Sequence, residues 1–203
     1  VVVIDSGVDL DHPFFGADAN RDGVADRIVY QYDFYGRNDG NASDGTGHGT
    51  HVAGIVGSSD STYPGIAPKV NLIVLKVFPD GKGSASPTDI EEALKWVVAN
   101  ASRYNVVSVN LSLGSGDFHT TAQQGYLSTQ FRALTNAGVI VVSASGNGYD
   151  EQFDGDPKTT GSDKPGVAYP SSDPYSLSVG AVWAYGGGNL GSIQTNAPID
   201  AIA

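Results

Sequence analysis

The chain has 203 residues, of which 40% are hydrophobic and 16% are charged, which is enough for one domain with a sizeable core. A net charge of −11 makes nucleic acid an unfavourable partner, because nucleic-acid binding needs a basic surface. The absence of cysteine excludes disulfides, thiolate nucleophiles and cysteine-ligated zinc, and no apolar run approaches the ~20 residues of a membrane span.

Apolar, β-branched runs alternate with helical patterns along the chain. Runs typical of strands buried on both faces are 1–4, 70–77, 106–111, 139–145 and 177–183. The helical patterns cover 48–56, a stretch that begins after Ser86, and 120–136. The segments 11–45 and 146–170 lack either period and are predicted to be irregular. Strand–helix alternation of this kind predicts an α/β fold with a parallel sheet.

Three short polar motifs stand where predicted strands end or a helix begins. Asp5 follows the first strand, His48 lies in the glycine-rich stretch 45–54 that enters a helix, and Asn147 lies in Ser-Gly-Asn-Gly. A histidine titrates near neutral pH and can transfer protons, and an aspartate can orient it. Because active sites in such sheets gather at the carboxyl ends of the strands, we expect Asp5, Ser112 and Asn147 to converge there.

These motifs, in the order Asp and then His, resemble those of the subtilisin-like serine proteases, the subtilases. The resemblance implies a three-layer α/β fold with helices on both faces of a mostly parallel central sheet. It also implies that residues 1–203 form a partial catalytic domain, incomplete at both ends. In such a domain Asp5 would orient His48, His48 would be the general base, and Asn147 would donate to the oxyanion. The residues expected to bind an extended polypeptide substrate are Gly81, Lys82, Gly83, Ser112, Leu113, Gly114, Ala144, Ser145 and Gly146.

The serine nucleophile of the family lies in the string Gly-Thr-Ser-[Met/Leu]-Ala, which does not occur in this sequence. Since residues 200–203 resemble a strand shortly before that motif, we expect the serine beyond Ala203 and an inactive chain without it. The expected function is that of an extracellular serine endopeptidase whose signal segment lies outside this chain. Two alternatives stay open: an inactive, calcium-stabilised binding module, and a metal-dependent hydrolase that uses His48 and His51.

An acidic loop over residues 18–26 has the pattern D-x-N-x-D-G-x-x-D. Oxygen-bearing side chains at alternate positions around a glycine turn resemble the first part of an EF-hand-type calcium loop, without its terminal glutamate. The sequence therefore predicts a structural Ca²⁺ site, and its expected ligands are Asp18, Asn20, Asp22, Asp26 and the carbonyl of Val24.

Overall fold

The computed structural model describes residues 1–35, 39–81, 83–146 and 166–180. The chain divides into two compact units, Val1–Ser112 with Thr129–Val141 and Leu113–Ser128 with Val142–Ala203. In chain order the elements are β1 (Val2–Asp5), a 3₁₀ helix (Pro13–Phe15), β2 (Ile28–Asp33), α1 (His48–Gly57), β3 (Leu72–Lys76), α2 (Pro87–Asn100), β4 (Ser108–Leu111), β5 (Ser115–His119), α3 (Ser128–Asn136), β6 (Ile140–Ala144), β7 (Val167–Tyr169) and β8 (Leu177–Val179). In the described part of the chain, no helix is both long and apolar enough to cross a membrane.

Four strands of the first unit form a parallel sheet in the order β2-β3-β1-β4. The pairing sets Asp5 at the end of β1 beside Lys76 at the end of β3. Every residue of β1 and of β3 is buried, which is typical of central strands covered on both faces. The carboxyl ends of these two strands therefore lie together at one edge of the sheet.

One apolar cluster holds α1 against the sheet. Val3 of β1 and Val74 of β3 share this cluster with Ala53 of α1, and Val52 and Val56 pack against it. Burying a side chain of valine size contributes about 1.5–3 kcal/mol to stability. This packing fixes the start of α1 above the end of β1.

The second helix, α2, begins as predicted. The Ser86 side chain caps it by accepting from a backbone N–H at 3.2 Å, and Pro87 is its first residue. Since neighbouring strand residues point to opposite faces, Val2 and Ile4 face away from α1 and are left for α2, which also contacts β1. The buried stripe of α2 consists of Ile90, Ala93, Leu94 and Val97.

Two strand pairs make up the described part of the second unit. Residues 142–144 of β6 pair in parallel with β8, and β5 pairs antiparallel with β7. Ser145, just past β6, donates its N–H to the carbonyl of Val179 and accepts from the N–H of Ala168, each at 2.9 Å. The backbone of Ser145 is thus held on both sides.

The predicted α/β class with a mostly parallel sheet is confirmed, with local differences at β2, β5, β7 and the start of α3. Strand β5 lies outside every predicted run, and β7 lies inside the segment 146–170 that was predicted to be irregular. Strand β2 lies inside the segment 11–45 that was predicted to be irregular. It is the edge strand of its sheet, and its polar residues Gln31 and Asp33 interrupt the continuous apolar run that marks the inner strands. Helix α3 begins at Ser128 and not at 120, and a turn precedes it: Ser128 donates its N–H to the carbonyl of Gly125, and its hydroxyl accepts from the N–H of Gly125.

Candidate active site

Asp5 is presented by the last position of a buried strand. Its side chain is 1% exposed, and its Oδ1 accepts from the backbone N–H of Ser6 at 2.7 Å. Gly7 then turns the chain with a φ of 102°, and a Cβ there would lie 2.4 Å from the carbonyl oxygen of Ala42. Only glycine accepts both the positive φ and this close approach.

His48 is the first residue of α1, and its imidazole meets the carboxylate of Asp5. The distance from Nδ1 to Oδ1 is 2.7 Å, within the range of a charge-assisted hydrogen bond. An ionised carboxylate can only accept, so Nδ1 carries the proton and Nε2 is left with a lone pair. The histidine side chain is 58% exposed whereas that of Asp5 is buried. The pair is therefore a proton acceptor that is open to a reactant and held from behind by a carboxylate.

Burial and hydrogen bonding act on the Asp5 carboxyl in opposite directions. Desolvation raises its pKa above the ordinary value, and the hydrogen bonds from His48 and Ser6 offset only part of that rise. Its Oδ2 is buried and has no hydrogen-bond partner among the described residues. The Asp5 carboxyl therefore depends on the contact with His48 for a large part of its stabilisation in the folded chain.

The glycine after the histidine brings the helix and the strand end together. A Cβ at Gly49 would lie 2.1 Å from the carbonyl oxygen of Gly7 and 3.1 Å from the Cβ of Asp5. At position 49 the glycine permits the close contact between α1 and β1 that sets the Asp5–His48 distance.

Three further residues hold this pair and were not singled out from the sequence. Ser6 accepts from the N–H of Gly49 and donates its hydroxyl to Asp44, both at 2.9 Å. The buried Lys76 donates from Nζ to the carbonyl oxygen of Ser6 at 2.6 Å and pairs with Asp80 at 2.9 Å. The position of Asp44, four residues before the histidine, is the one signal that could have indicated such a role.

Comparison with known proteins identifies the family of this chain. The sequence model of the subtilase family, peptidase family S8, matches residues 1–198. The chain belongs to the subtilase family. Subtilisin E of Bacillus subtilis (strain 168) is 33% identical over 184 residues, which cover 90% of this chain and 40% of that protein. Alkaline serine exoprotease A of Vibrio alginolyticus is 39% identical over 145 residues, which cover 71% of this chain and 23% of that protein.

Solved structures agree with the fold. The S41 psychrophilic protease superposes with a TM-score of 0.64 at 29% identity, covering 88% of this chain and 51% of that one. Sphericase gives a TM-score of 0.62 at 24% identity, covering 91% of this chain and 56% of that one, and supports the fold alone. The subtilase chain described here thus spans between two fifths and three fifths of several relatives that it matches.

The predicted substrate-binding residues of this subtilase lie in both units. In the first unit, Gly81 and Gly83 are exposed in the turn after β3, and Ser112 follows β4 and accepts from Asn110. In the second unit, Leu113 and Gly114 precede β5, Ala144 ends β6, and Ser145 and Gly146 follow it. Lys82 and the predicted oxyanion donor Asn147 lie outside the described residues.

The acidic loop 18–26 is closed by its own side chains. Asp18 accepts from the N–H groups of Asp22 and Gly23 at 3.2 and 2.9 Å, and Asp26 accepts from the N–H of Ala19 at 3.3 Å. Gly23 has a φ of 82°, which confirms the predicted glycine turn. Within the described residues, no three His, Cys, Asp or Glu side chains are grouped as metal ligands.

His51 lines a groove that the Asp5–His48 pair does not line. It is exposed one turn further along α1, and the groove of about 960 Å³ is also lined by Asp9, Asp11 and Asp44. The two histidines of α1 thus have different surroundings, since His48 contacts Asp5 and His51 faces the groove.

Proposed function

We propose that the protein is a serine endopeptidase in which this chain supplies Asp5 and His48 of an Asp-His-Ser triad. The observation that carries the proposal is the 2.7 Å contact between a buried carboxylate and a half-exposed imidazole. Family membership supports the same chemistry, since the triad is recognised by geometry and roles. The serine is proposed to come from a part of the protein that these 203 residues do not include.

In this proposal His48 first acts as a base and then as an acid. Its Nε2 takes the proton from the serine hydroxyl while the serine Oγ bonds to the peptide carbonyl carbon, and the imidazolium is stabilised by Asp5. The same proton passes to the amide nitrogen as the C–N bond breaks, which releases the amine and leaves an acyl-enzyme. Water then repeats the sequence and releases the acid.

The substrate contacts that we propose are those that membership of the subtilase family implies. An extended peptide would hydrogen-bond to the backbone of 81–83 and 112–114, and its first specificity side chain would lie against 144–146. Asn147 would donate its side-chain amide to the tetrahedral oxyanion. The small residues at 144–146 favour a wide pocket. An extracellular location is proposed from the resemblance to subtilases.

The experiment that tests the proposal compares two histidine variants of the whole protein. Hydrolysis of casein should be lost in His48→Ala and kept in His51→Ala, which changes the neighbouring histidine of the same helix. Equal loss in both variants, together with sensitivity to chelators, would favour metal-dependent hydrolysis. A whole protein that hydrolyses nothing yet binds peptides would be the inactive binding module.

We further propose that the loop 18–26 binds Ca²⁺ in a structural role. The atoms expected to bind the cation are all oxygens, which is the ligand type that Ca²⁺ prefers. A carboxylate oxygen that accepts one N–H retains a second lone pair for the cation. Calcium should therefore raise the Tm of the chain, and Asp22→Ala should remove that rise while Asp60→Ala keeps it. A Tm that is equal in calcium and in chelator would refute the site.

A further inference from the structure

The turn that leads into α1 is built around the carboxylate of Asp44. Its Oδ1 accepts from the N–H groups of Thr46 and Gly47 at 2.9 Å. Its Oδ2 accepts from the N–H of Thr50 at 2.9 Å and from the Thr50 hydroxyl at 2.6 Å. Gly47 is the N-cap of the helix and has no side chain to cap it. Asp44 therefore supplies the acceptor that the free N–H groups of the first turn need.

The same carboxylate is connected to Asp5 through one hydroxyl. Ser6 donates from Oγ to Asp44, and because that proton is committed, the oxygen can accept from the N–H of Gly49. The backbone N–H of Ser6 is bonded to Asp5 and its carbonyl to Lys76. Each polar group of Ser6 is used, and the residue joins the end of β1 to the first turn of α1.

We propose that Asp44 is a positioning residue for the Asp5–His48 pair and acts through the hydroxyl of Ser6. The proposal rests on the proposed proteolytic function. Among the described residues Asp44 has no hydrogen bond to Asp5 or His48. It holds the turn that carries the imidazole, and it holds Ser6, whose N–H binds the Asp5 carboxylate. Loss of this link lets α1 rotate or slide against β1, and the 2.7 Å contact between Nδ1 and Oδ1 is the first geometry to change.

The negative charge of Asp44 is essential to this role. Burial alone would raise its pKa, but the hydrogen bonds from Thr50, Thr46 and Gly47 lower it to about 2. Both oxygens accept, so an asparagine here would turn an NH₂ group toward donors on one side, whichever way it is flipped. Asp44→Asn thus removes hydrogen bonds with almost no change in volume.

The test measures kcat and KM on a peptide substrate for the whole protein carrying Asp44→Asn, Ser6→Ala, or both. We expect each single variant to lower kcat about 10–100-fold, the cost of a small misplacement of catalytic groups, with KM nearly unchanged. The double variant should be little worse than the poorer single variant, because both break one link. Asp60→Asn is the matched control, since Asp60 also accepts backbone N–H groups, at Thr62 and Tyr63, but away from the pair.

A second readout separates this proposal from proteolysis itself. NMR of the whole protein should show the His48 Nδ1 proton, hydrogen-bonded to Asp5, in the wild type and in Asp60→Asn. In Asp44→Asn that signal should be lost or exchange rapidly with water. An unchanged signal with unchanged kcat, or multiplicative losses in the double variant, would overturn the positioning role. A wild-type protein that shows the signal but hydrolyses nothing would overturn the proposed function alone.

Discussion

Replacing Gly49 by alanine should separate the catalytic pair. A Cβ at this position would lie 2.1 Å from the carbonyl oxygen of Gly7, whereas a carbon–oxygen contact needs about 3.3 Å. The turn at Gly7 cannot retreat, because its φ of 102° is already packed against Ala42. Helix α1 must therefore move by about 1 Å, which stretches the 2.7 Å contact between His48 and Asp5 beyond the ~3.2 Å limit of a good hydrogen bond.

The expected cost appears in both activity and stability. Overpacking of this kind destabilises by about 1–3 kcal/mol, and each kcal/mol lowers Tm by about 2–4 °C in a chain of this size. A shift of about 1 Å at the reacting groups lowers kcat about 10²-fold. Stability is measured by thermal unfolding of the chain, and kcat on a chromogenic peptide with the whole protein.

Gly54 offers a matched control on the same helix. A Cβ at Gly54 would meet no atom within 4 Å, so Gly54→Ala should gain about 0.5–1 kcal/mol from helix propensity and leave kcat unchanged. If Gly49→Ala keeps both the kcat and the Tm of the wild type, close helix–strand contact does not set the geometry of the pair, and the reasoning fails.

Three further outcomes are expected. Asp5→Asn should lower kcat about 10⁴-fold, as loss of the orienting carboxylate does in other enzymes with this triad, and a loss below tenfold in peptide hydrolysis would contradict the role. Acid should destabilise the chain through Asp44, whose pKa in the folded chain is about 2 and lies below the ordinary 3.8. The ionised carboxylate therefore contributes at most about 2 kcal/mol to the free energy of unfolding. That contribution is present above pH ~4 and is lost as the pH falls through about 2. Urea unfolding at pH 5 and at pH 2 measures the loss in the free energy of unfolding, and Asp44→Asn should make that loss smaller. A loss of the same size in Asp44→Asn would show that other groups cause it. Leu94→Ala should cost about 2–5 kcal/mol by opening a cavity under α2, and a loss below 1 kcal/mol in the same assay would show that α2 does not bury this stripe.

The fold was predictable where burial leaves a simple pattern. The strands β1 and β3 are buried at every position, so their residues form continuous apolar runs that local sequence reveals. The edge strand β2 was not predicted, because half-exposed positions interrupt its apolar run. The start of α3 was not predicted. Directly before it, Leu127 donates its N–H to the hydroxyl of Tyr169, 42 residues later in the chain, and no local pattern records such a contact.

The pairing of Asp5 with His48 was predictable because its two motifs carry an acid and a base in their own residue types. The residues that hold the pair were not, because their function appears only in contacts across the chain. Lys76 looks like the polar end of an apolar run, yet it bonds to Ser6, 70 residues away. Asp44 looks like one acid in a polar loop, yet it caps a helix and bonds to a residue 38 positions earlier.

Labelling of the whole protein by a fluorophosphonate tests the central claim most directly, because this reagent bonds to a serine only where a base has activated it. We predict rapid attachment to one serine, found by mass spectrometry outside residues 1–203, with labelling lost in His48→Ala and kept in His51→Ala. Labelling that is absent from the wild type, or equally fast in His48→Ala, would show that Asp5 and His48 do not serve a serine nucleophile.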